Sequence, residues 1–310
     1  MTYVTRPYEP TDAAALANLF NAADAHVGIE PHFTAADASG VMSGLVRDLG
    51  TDTRMLIAAD GTPAANATVP TPPAGADNVR IFGAVHPDHL GRGLGRALLA
   101  WQLDRITAIR RERDPSGSWL VVARCDLRDT ASVRLYGRFA LEPVRYFFAM
   151  RASLSDVVAQ GVPDGLRVQP YRAEILPEFH AAHMEAFAEH WGFVPRARDE
   201  WATLAVASDL FRPELSPIAY DGSQIAGYVL TYDMLDPEAI LVRSVGTRAP
   251  WRGRGIASAL LTRVMSAAAA AGKRYAVIDV DADNANGAAD IYRRVGFRVT
   301  AREGAFGRDC

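Results

Sequence analysis

The stretch APWRGRGIASALL, residues 249–261, decides how this chain is read. Ahead of it, Ile240–Val245 has the β-branched, apolar character of a strand. Behind it, Ile256, Leu260 and Val264 recur at four-residue steps with Leu261 and Met265 beside them, one apolar stripe of a helix. A glycine-rich link between strand and helix brings three things to one place. Glycines adopt left-handed backbone and let a ligand come close. The helix start offers unpaired N–H groups and the positive end of its dipole. Arg252 and Arg254 add guanidinium forks suited to phosphate oxygens. The stretch is not a P-loop, because no Gly-Lys-Ser/Thr follows. It is not a dinucleotide fingerprint either, since Ala257 and Ser258 break the G-x-G-x-x-G pattern.

The same writing occurs earlier, as HPDHLGRGLGRALL at residues 86–99. Gly93 and Gly255 stand 162 residues apart, and other landmarks repeat in the same order at nearly that offset. Pro7-Tyr8 returns as Pro170-Tyr171, the turn before Gly61 returns before Gly222, and Leu135-Tyr136 returns as Ile291-Tyr292. Solenoid repeats run to about 20–50 residues, so a duplicated domain fits better. Strand, loop, helix, strand and short helix follow one another in each copy: Val79–Val85, a helix from Leu94, Trp119–Ala123 and Ala131–Phe139, then Ile240–Val245, a helix from Ile256, Tyr275–Val280 and Ala288–Val295. That order is α/β, with at least one parallel strand pair. The seam is expected where Gly, Pro and Asp collect between Gln160 and Gly165, giving domains 1–153 and 166–310. Residues 1–155 are then expected to hold a complete strand–helix set.

With 310 residues and 49% hydrophobic content, the chain is long enough for two such cores. A net charge of −3 gives no electrostatic footprint for nucleic acid or an anionic membrane. Cys125 and Cys310 are the only cysteines, so no disulfide framework is implied and a reducing cytoplasm is expected. The N-terminal residues carry no apolar signal region, and the alanine run from 267 to 271 is far too short for a bilayer.

A second block follows each loop: DNANGAADIYRRVGF at 283–297 and RDTASVRLYGRFAL at 128–141. With both blocks in hand, the chain resembles the GCN5-related N-acetyltransferase (GNAT) superfamily, written twice. The family's cofactor loop, R/Q-x-x-G-x-G/A, is matched by Arg252, Gly255 and Ala257; its later block is matched by Asn284, Ala288, Ile291, Tyr292, Gly296 and Phe297. The tandem layout is similar to that of the mycothiol-synthase group of actinobacterial acetyltransferases. The resemblance implies two α/β (α+β mixed-sheet) domains, each a central mixed sheet flanked by helices. It implies acetyl-CoA as cofactor and the amine of a small molecule as acceptor, in a monomer or homodimer. Val245, Gly246 and Thr247 would border the thioester, and Arg252, Gly253, Arg254, Gly255, Ile256, Ala257 and Ser258 would hold the pyrophosphate. Asn284 would touch the cofactor arm, and Tyr292 would protonate the departing sulfur.

The first copy keeps Gly91, Arg92, Gly93, Leu94, Gly95 and Arg96 after Val85, the backbone pattern of a second cofactor cradle. It loses the leading Arg to Leu90, the Asn to Asp129 and the Gly-Phe to Ala140-Leu141, although Tyr136 survives. It is therefore read as structural or vestigial, and the second copy as catalytic. On the acceptor side, Phe179–Trp191 reads as one helix, carrying Glu189, His190 and His183 as candidates to accept the amine proton, with Asp279 and Asp281 behind them. The plainer reading puts that stripe in the core and Glu185 and Glu189 on a solvated face. His180-x-x-His183 has no further ligands, so no metal is expected. The alternative to an enzyme is a non-catalytic acyl-CoA-binding or protein-interaction module on the same fold. Within the enzyme reading, the sequence leaves the acceptor open among a mycothiol precursor, an antibiotic, an amino acid and a protein N-terminus, with a mycothiol-synthase-like or antibiotic-modifying enzyme named first.

Overall fold

The structure, a computed structural model, describes residues 2–31, 33–72, 75–76, 78–283 and 287–310. In chain order its first half contains β1 (Val4–Arg6), α1 (Ala13–His26), α2 (Ala35–Leu45), α3 (Leu49–Asp52), β2 (Thr53–Ile57), β3 (Pro63–Thr68), β4 (Asn78–Arg80), β5 (Phe82–Val85), α4 (Leu94–Arg113), β6 (Leu120–Asp126), α5 (Thr130–Arg138) and β7 (Glu142–Ser153). The second half contains β8 (Leu166–Pro170), α6 (Leu176–Phe187), α7 (Arg198–Ala205), β9 (Pro217–Asp221), β10 (Gln224–Asp233), β11 (Ala239–Thr247), α8 (Ile256–Ala270), β12 (Tyr275–Asp281), α9 (Ala288–Arg294) and β13 (Arg298–Asp309). This is the mixed α/β architecture expected, repeated.

The chain forms two compact units: Met1–Tyr146 with Glu303–Cys310, and Phe147–Arg302. These differ from the sequence-based bounds 1–153 and 166–310 by an exchange of strand segments. The end of β7, Phe147–Ser153, pairs antiparallel with β12 in the second unit, and Glu303–Asp309 of β13 pairs antiparallel with β6 in the first. The first unit is therefore closed by a segment from far along the chain, whereas the second is the continuous stretch Phe147–Arg302. The set 1–155 lacks the segment that covers β6, because strand pairing asks only for an alternating extended partner and not for a neighbour in sequence.

In the second unit the sheet runs β8, β9, β10, β11, β12 and the end of β7, antiparallel except for β11 with β12. On one face α8 buries Ile256, Leu260, Val264 and Met265, each at most 1% exposed, against Val229, Ile240 and Ile278. Each such side chain contributes about 2 kcal/mol of apolar burial, set against the entropy of ordering it. Helix α8 stops at a Schellman turn: Gly272 takes φ 87, and Lys273 and Gly272 donate to the carbonyls of Ala268 and Ala269. The other face holds an aromatic cluster including Phe179, Trp201, Phe211, Tyr228 and Tyr232.

In the first unit the expected strand Val79–Val85 is broken at Ile81. Its first part, β4, pairs parallel with β6, and its second, β5, pairs antiparallel with β3 in the order β1, β2, β3, β5.

Candidate functional site

The site in the second unit begins with a parting of strands. The parallel register of β11 and β12 runs from Ala239 opposite Tyr275 to Val242 opposite Ile278 and ends there. Beyond that point β11 stays with β10 as far as Thr247 opposite Gly227, while β12 stays with β7 as far as Asp281 opposite Phe147. The β10–β11 register shifts here, with Leu230 opposite Ser244 and Thr231 opposite Val242, so Arg243 is an extra residue. Such a bulge bends and twists its strand. The segment 243–247, containing Val245, Gly246 and Thr247, thus turns an edge toward the opening.

The glycine-rich loop closes the same end. After a single turn at Ala249–Trp251, Arg252 is extended, Gly253 has φ 76, and Gly255, at φ 82, is the residue preceding α8. No side chain caps α8, and a β-carbon on Gly253 or Gly255 would meet nothing within 4 Å. The space before the helix start is open and its donors face outward, which suits a diphosphate. Ile256 is buried as the first core residue of α8, with Ala257 and Ser258 half-buried behind the loop.

The loop arginines are held from behind. Arg252 pairs with Glu189 at 2.8 Å and donates to the Thr247 carbonyl; Arg248 pairs with Glu185 at 2.7 Å. Asp221 accepts from the Trp251 indole at 2.9 Å and lies 3.9 Å from Arg254. Glu185 and Glu189 therefore do not form a merely solvated face. The expected helix to Trp191 also ends early: α6 stops at Phe187, and Ala188 and His190 donate only three residues back, to Glu185 and Phe187. Glu189 and His190 sit in that turn, whose next glycine, Gly192, has φ 68.

Tyr292, on α9, is buried beside Phe297, and burial pushes its phenol pKa up, so the hydroxyl keeps its proton. Its charge would be felt by the phenol of Tyr228 on β10, which burial likewise holds neutral. The His190 ring stacks on Phe187 at 4.2 Å; burial lowers its pKa, Asp281 and Glu189 oppose that, and Arg252 adds to it. His183 has its Nδ1 bonded to the Tyr228 hydroxyl at 2.7 Å, and burial pushes its pKa down to about 3. It is a poor proton acceptor at neutral pH. Asp279 is exposed and Asp281 half-buried on β12. Asn284 lies outside the described residues. His180 is bonded to the Arg196 carbonyl at 3.0 Å, and among the described residues no group of three or more His, Cys, Asp or Glu is placed to hold a metal ion. Among them no helix is long and apolar enough to cross a membrane.

Sequence reasoning missed Tyr228. Its one trace is Gly246, a glycine inside a strand, which often marks a close approach.

The first unit repeats the loop backbone with Gly91 at φ 73 and Gly93 at φ 79 before α4. A cleft of about 1230 Å³ opens there, lined by Val85, Gly91, Gly93, Leu94, Gly95 and Arg96 among others. Leu90 is 42% exposed where the second copy has Arg252, and Arg92 is turned toward the Tyr3 hydroxyl and the Asp88 carbonyl. Asp129 caps α5 through the N–H groups of Ala131 and Ser132. Ala140 takes φ 55 at the position of Gly296, a left-handed turn without glycine. Tyr136 directs its hydroxyl to the Arg124 carbonyl at 3.4 Å.

A profile of the Acetyltransferase (GNAT) family matches residues 176–297. Over 223 residues the chain is 30% identical to a mycothiol acetyltransferase of Streptomyces scabiei, a match covering 69% of this chain and 66% of that protein. It is 28% identical over 309 residues to a mycothiol acetyltransferase of Clavibacter sepedonicus, covering 95% of each. Its fold is similar to that of a GCN5-related N-acetyltransferase from Sphaerobacter thermophilus, with a TM-score of 0.78, 29% identity and coverage of 99% of this chain and 95% of the other.

Proposed function

This chain belongs to the GNAT family of acetyltransferases, and we propose that it moves the acetyl group of acetyl-CoA to the amine of a small molecule, with the chemistry in its second unit. The observation that carries this reading is the meeting, in one unit, of a parted strand edge, an uncapped helix start behind two left-handed glycines, and a neutral buried phenol. The residues present fit the cofactor: side chains at Gly253 and Gly255 would stand in the open cradle, and Arg252 and Arg254 border it.

Acetyl-CoA supplies an acyl group already activated as a thioester. The N–H groups of residues 253–257 and the two arginines hold its diphosphate. An N–H of Val245 or Gly246, on the free edge, polarises the thioester carbonyl. Glu189 or His190 takes the proton from the amine, and His190 suits this because burial keeps it neutral. As the new N–C bond forms and the C–S bond breaks, Tyr292 gives its proton to the sulfur.

Relatives named mycothiol acetyltransferase, matched over nearly the whole chain in one case, favour an amine of the mycothiol-precursor kind. The first unit is read differently: its cleft and repeated loop support binding of acyl-CoA without turnover, since Leu90 and Asp129 stand where the second unit's pattern has Arg252 and Asn284. The test is thiol release from acetyl-CoA across a panel of amines that includes cysteinyl amino sugars, free amino acids and aminoglycosides. Amine-dependent release is expected from one class. Tight acetyl-CoA binding with no amine raising thiol release would leave a binding module.

A further inference from the structure

Gly246 has room for no side chain, because the ring of Tyr228 occupies the place. A β-carbon there would lie 2.4 Å from the ring's Cε1 and Cζ and 2.5 Å from its hydroxyl oxygen. The two residues face each other in the β10–β11 register, so the phenol is laid across the peptide it opposes. Tyr228 is fully buried, and its hydroxyl is tied to His183 Nδ1 at 2.7 Å. The imidazole is itself fixed, stacked on Phe187 at 4.5 Å and packed against Trp201 at 4.9 Å. A polar pair in such a place is costly unless its geometry is satisfied. Here it is satisfied, beside the segment that has parted from β12.

The duplicated fold supplies a control. At the same offset as the two loops, the first unit sets Asn66 opposite Ala84 and has Asn21 on its first helix. Asn66 is engaged with the Arg54 carbonyl instead, and no tyrosine–histidine pair stands there. At these positions the pair stands in the unit whose loop keeps its leading arginine, whereas the first unit's Tyr3–His89 contact lies at its loop and not across the strand pair.

We infer that Tyr228 and His183 form a positioning pair that fixes the free edge of β11 at Gly246, where the acyl donor's carbonyl is polarised. This rests on the functional reading above and adds to it two residues that are not part of the diphosphate cradle. A hydroxyl anchored to an imidazole cannot slide along the strand, so the Gly246 peptide keeps one orientation toward the opening. A shift of about 1 Å in such an edge costs on the order of 10²-fold in rate.

Two measurements test the pair. In Tyr228→Phe the ring and its packing remain and only the bond to His183 is lost. We expect kcat to fall about 10- to 100-fold while acetyl-CoA affinity stays within about twofold, a split that loss of core packing alone does not produce. His183→Gln, whose amide can still meet the hydroxyl, should retain more activity than His183→Leu, and Tyr228→Phe combined with His183→Leu should be no slower than Tyr228→Phe alone. Independently of turnover, amide hydrogen exchange over residues 243–248 should quicken in Tyr228→Phe at least about tenfold beyond what its loss of global stability accounts for. An unchanged exchange rate there, or multiplying effects in the double variant, overturns the pair. Absence of any amine-dependent turnover in the unaltered protein counts against the acetyl-transfer reading instead, and the exchange measurement still decides the pair.

Discussion

Arg252 and Glu189 meet at 2.8 Å, so the arginine that leads the glycine-rich loop is held by a carboxylate from the turn after α6. The guanidinium that would face a diphosphate and the carboxylate that would take an amine proton are thereby each other's partners. A pair this exposed contributes little to stability, about 0–1 kcal/mol, and an incoming diphosphate competes with Glu189 for the same donors.

Glu189→Gln separates the two roles of that carboxylate. Acetyl-CoA should bind at least as tightly, because Arg252 loses a competitor, and the melting temperature should hardly move. Turnover should fall by about 10²–10⁴-fold if Glu189 is the proton acceptor. Calorimetry and thiol release on one preparation check both. Turnover within about threefold of the unaltered protein would move the acceptor role to His190.

Gly255→Glu should abolish the functional cradle. A side chain at φ 82 costs about 1–2 kcal/mol of left-handed strain and places a negative charge where the diphosphate binds. Gly93→Glu in the first unit should leave turnover nearly unchanged while removing acyl-CoA from that unit's cleft. Titration calorimetry with turnover assays distinguishes them, and the assignment of chemistry to the second unit reverses if Gly93→Glu is the inactive variant.

Tyr292→Phe keeps the packing against Phe297 and deletes the hydroxyl. Its kcat should drop by about 10²–10⁴-fold with cofactor affinity retained. Tyr136→Phe, whose hydroxyl faces the Arg124 carbonyl, should change little. Full activity in Tyr292→Phe would mean that water protonates the sulfur.

His183 makes stability depend on acid. Its pKa is near 6.5 in the unfolded chain and about 3 when folded. Between those values the unfolded state binds the extra proton, so stability is fully present above about pH 6.5 and is lost as pH falls toward about 3. By pH 5 the loss from this residue is about 2 kcal/mol. Urea unfolding at pH 7 and pH 5 should show a smaller difference in His183→Gln than in the unaltered protein; equal differences would remove His183 as the cause.

Much of this was legible before any coordinates. Glycines at fixed spacing between an apolar strand and a stripe of Ile256, Leu260 and Val264 declare their geometry locally, so α8 and its loop lie where expected. The end of α9 was legible for the same reason: Gly296 takes φ 105. What local pattern does not carry is pairing at a distance. Tyr228 and His183 are 45 residues apart, and Tyr228 in a strand reads as an ordinary aromatic core residue. Glu185 and Glu189 have the spacing of a solvated helix face, and only the loop arginines 63 residues later show otherwise. The exchanged strand segments are invisible for a deeper reason, since alternation records which face is buried and not which neighbour supplies the hydrogen bonds.

That exchange sets an order of events in the making of the protein. The first unit is finished only by Glu303–Asp309, so a growing chain cannot complete it until the second unit has already been synthesised. Through that interval β6 waits with an uncovered edge, open to pairing with another chain. The duplicated halves are therefore not two beads that fold in turn. The half made first is the half completed last, and a chain stopped between them leaves a sheet without its closing strand.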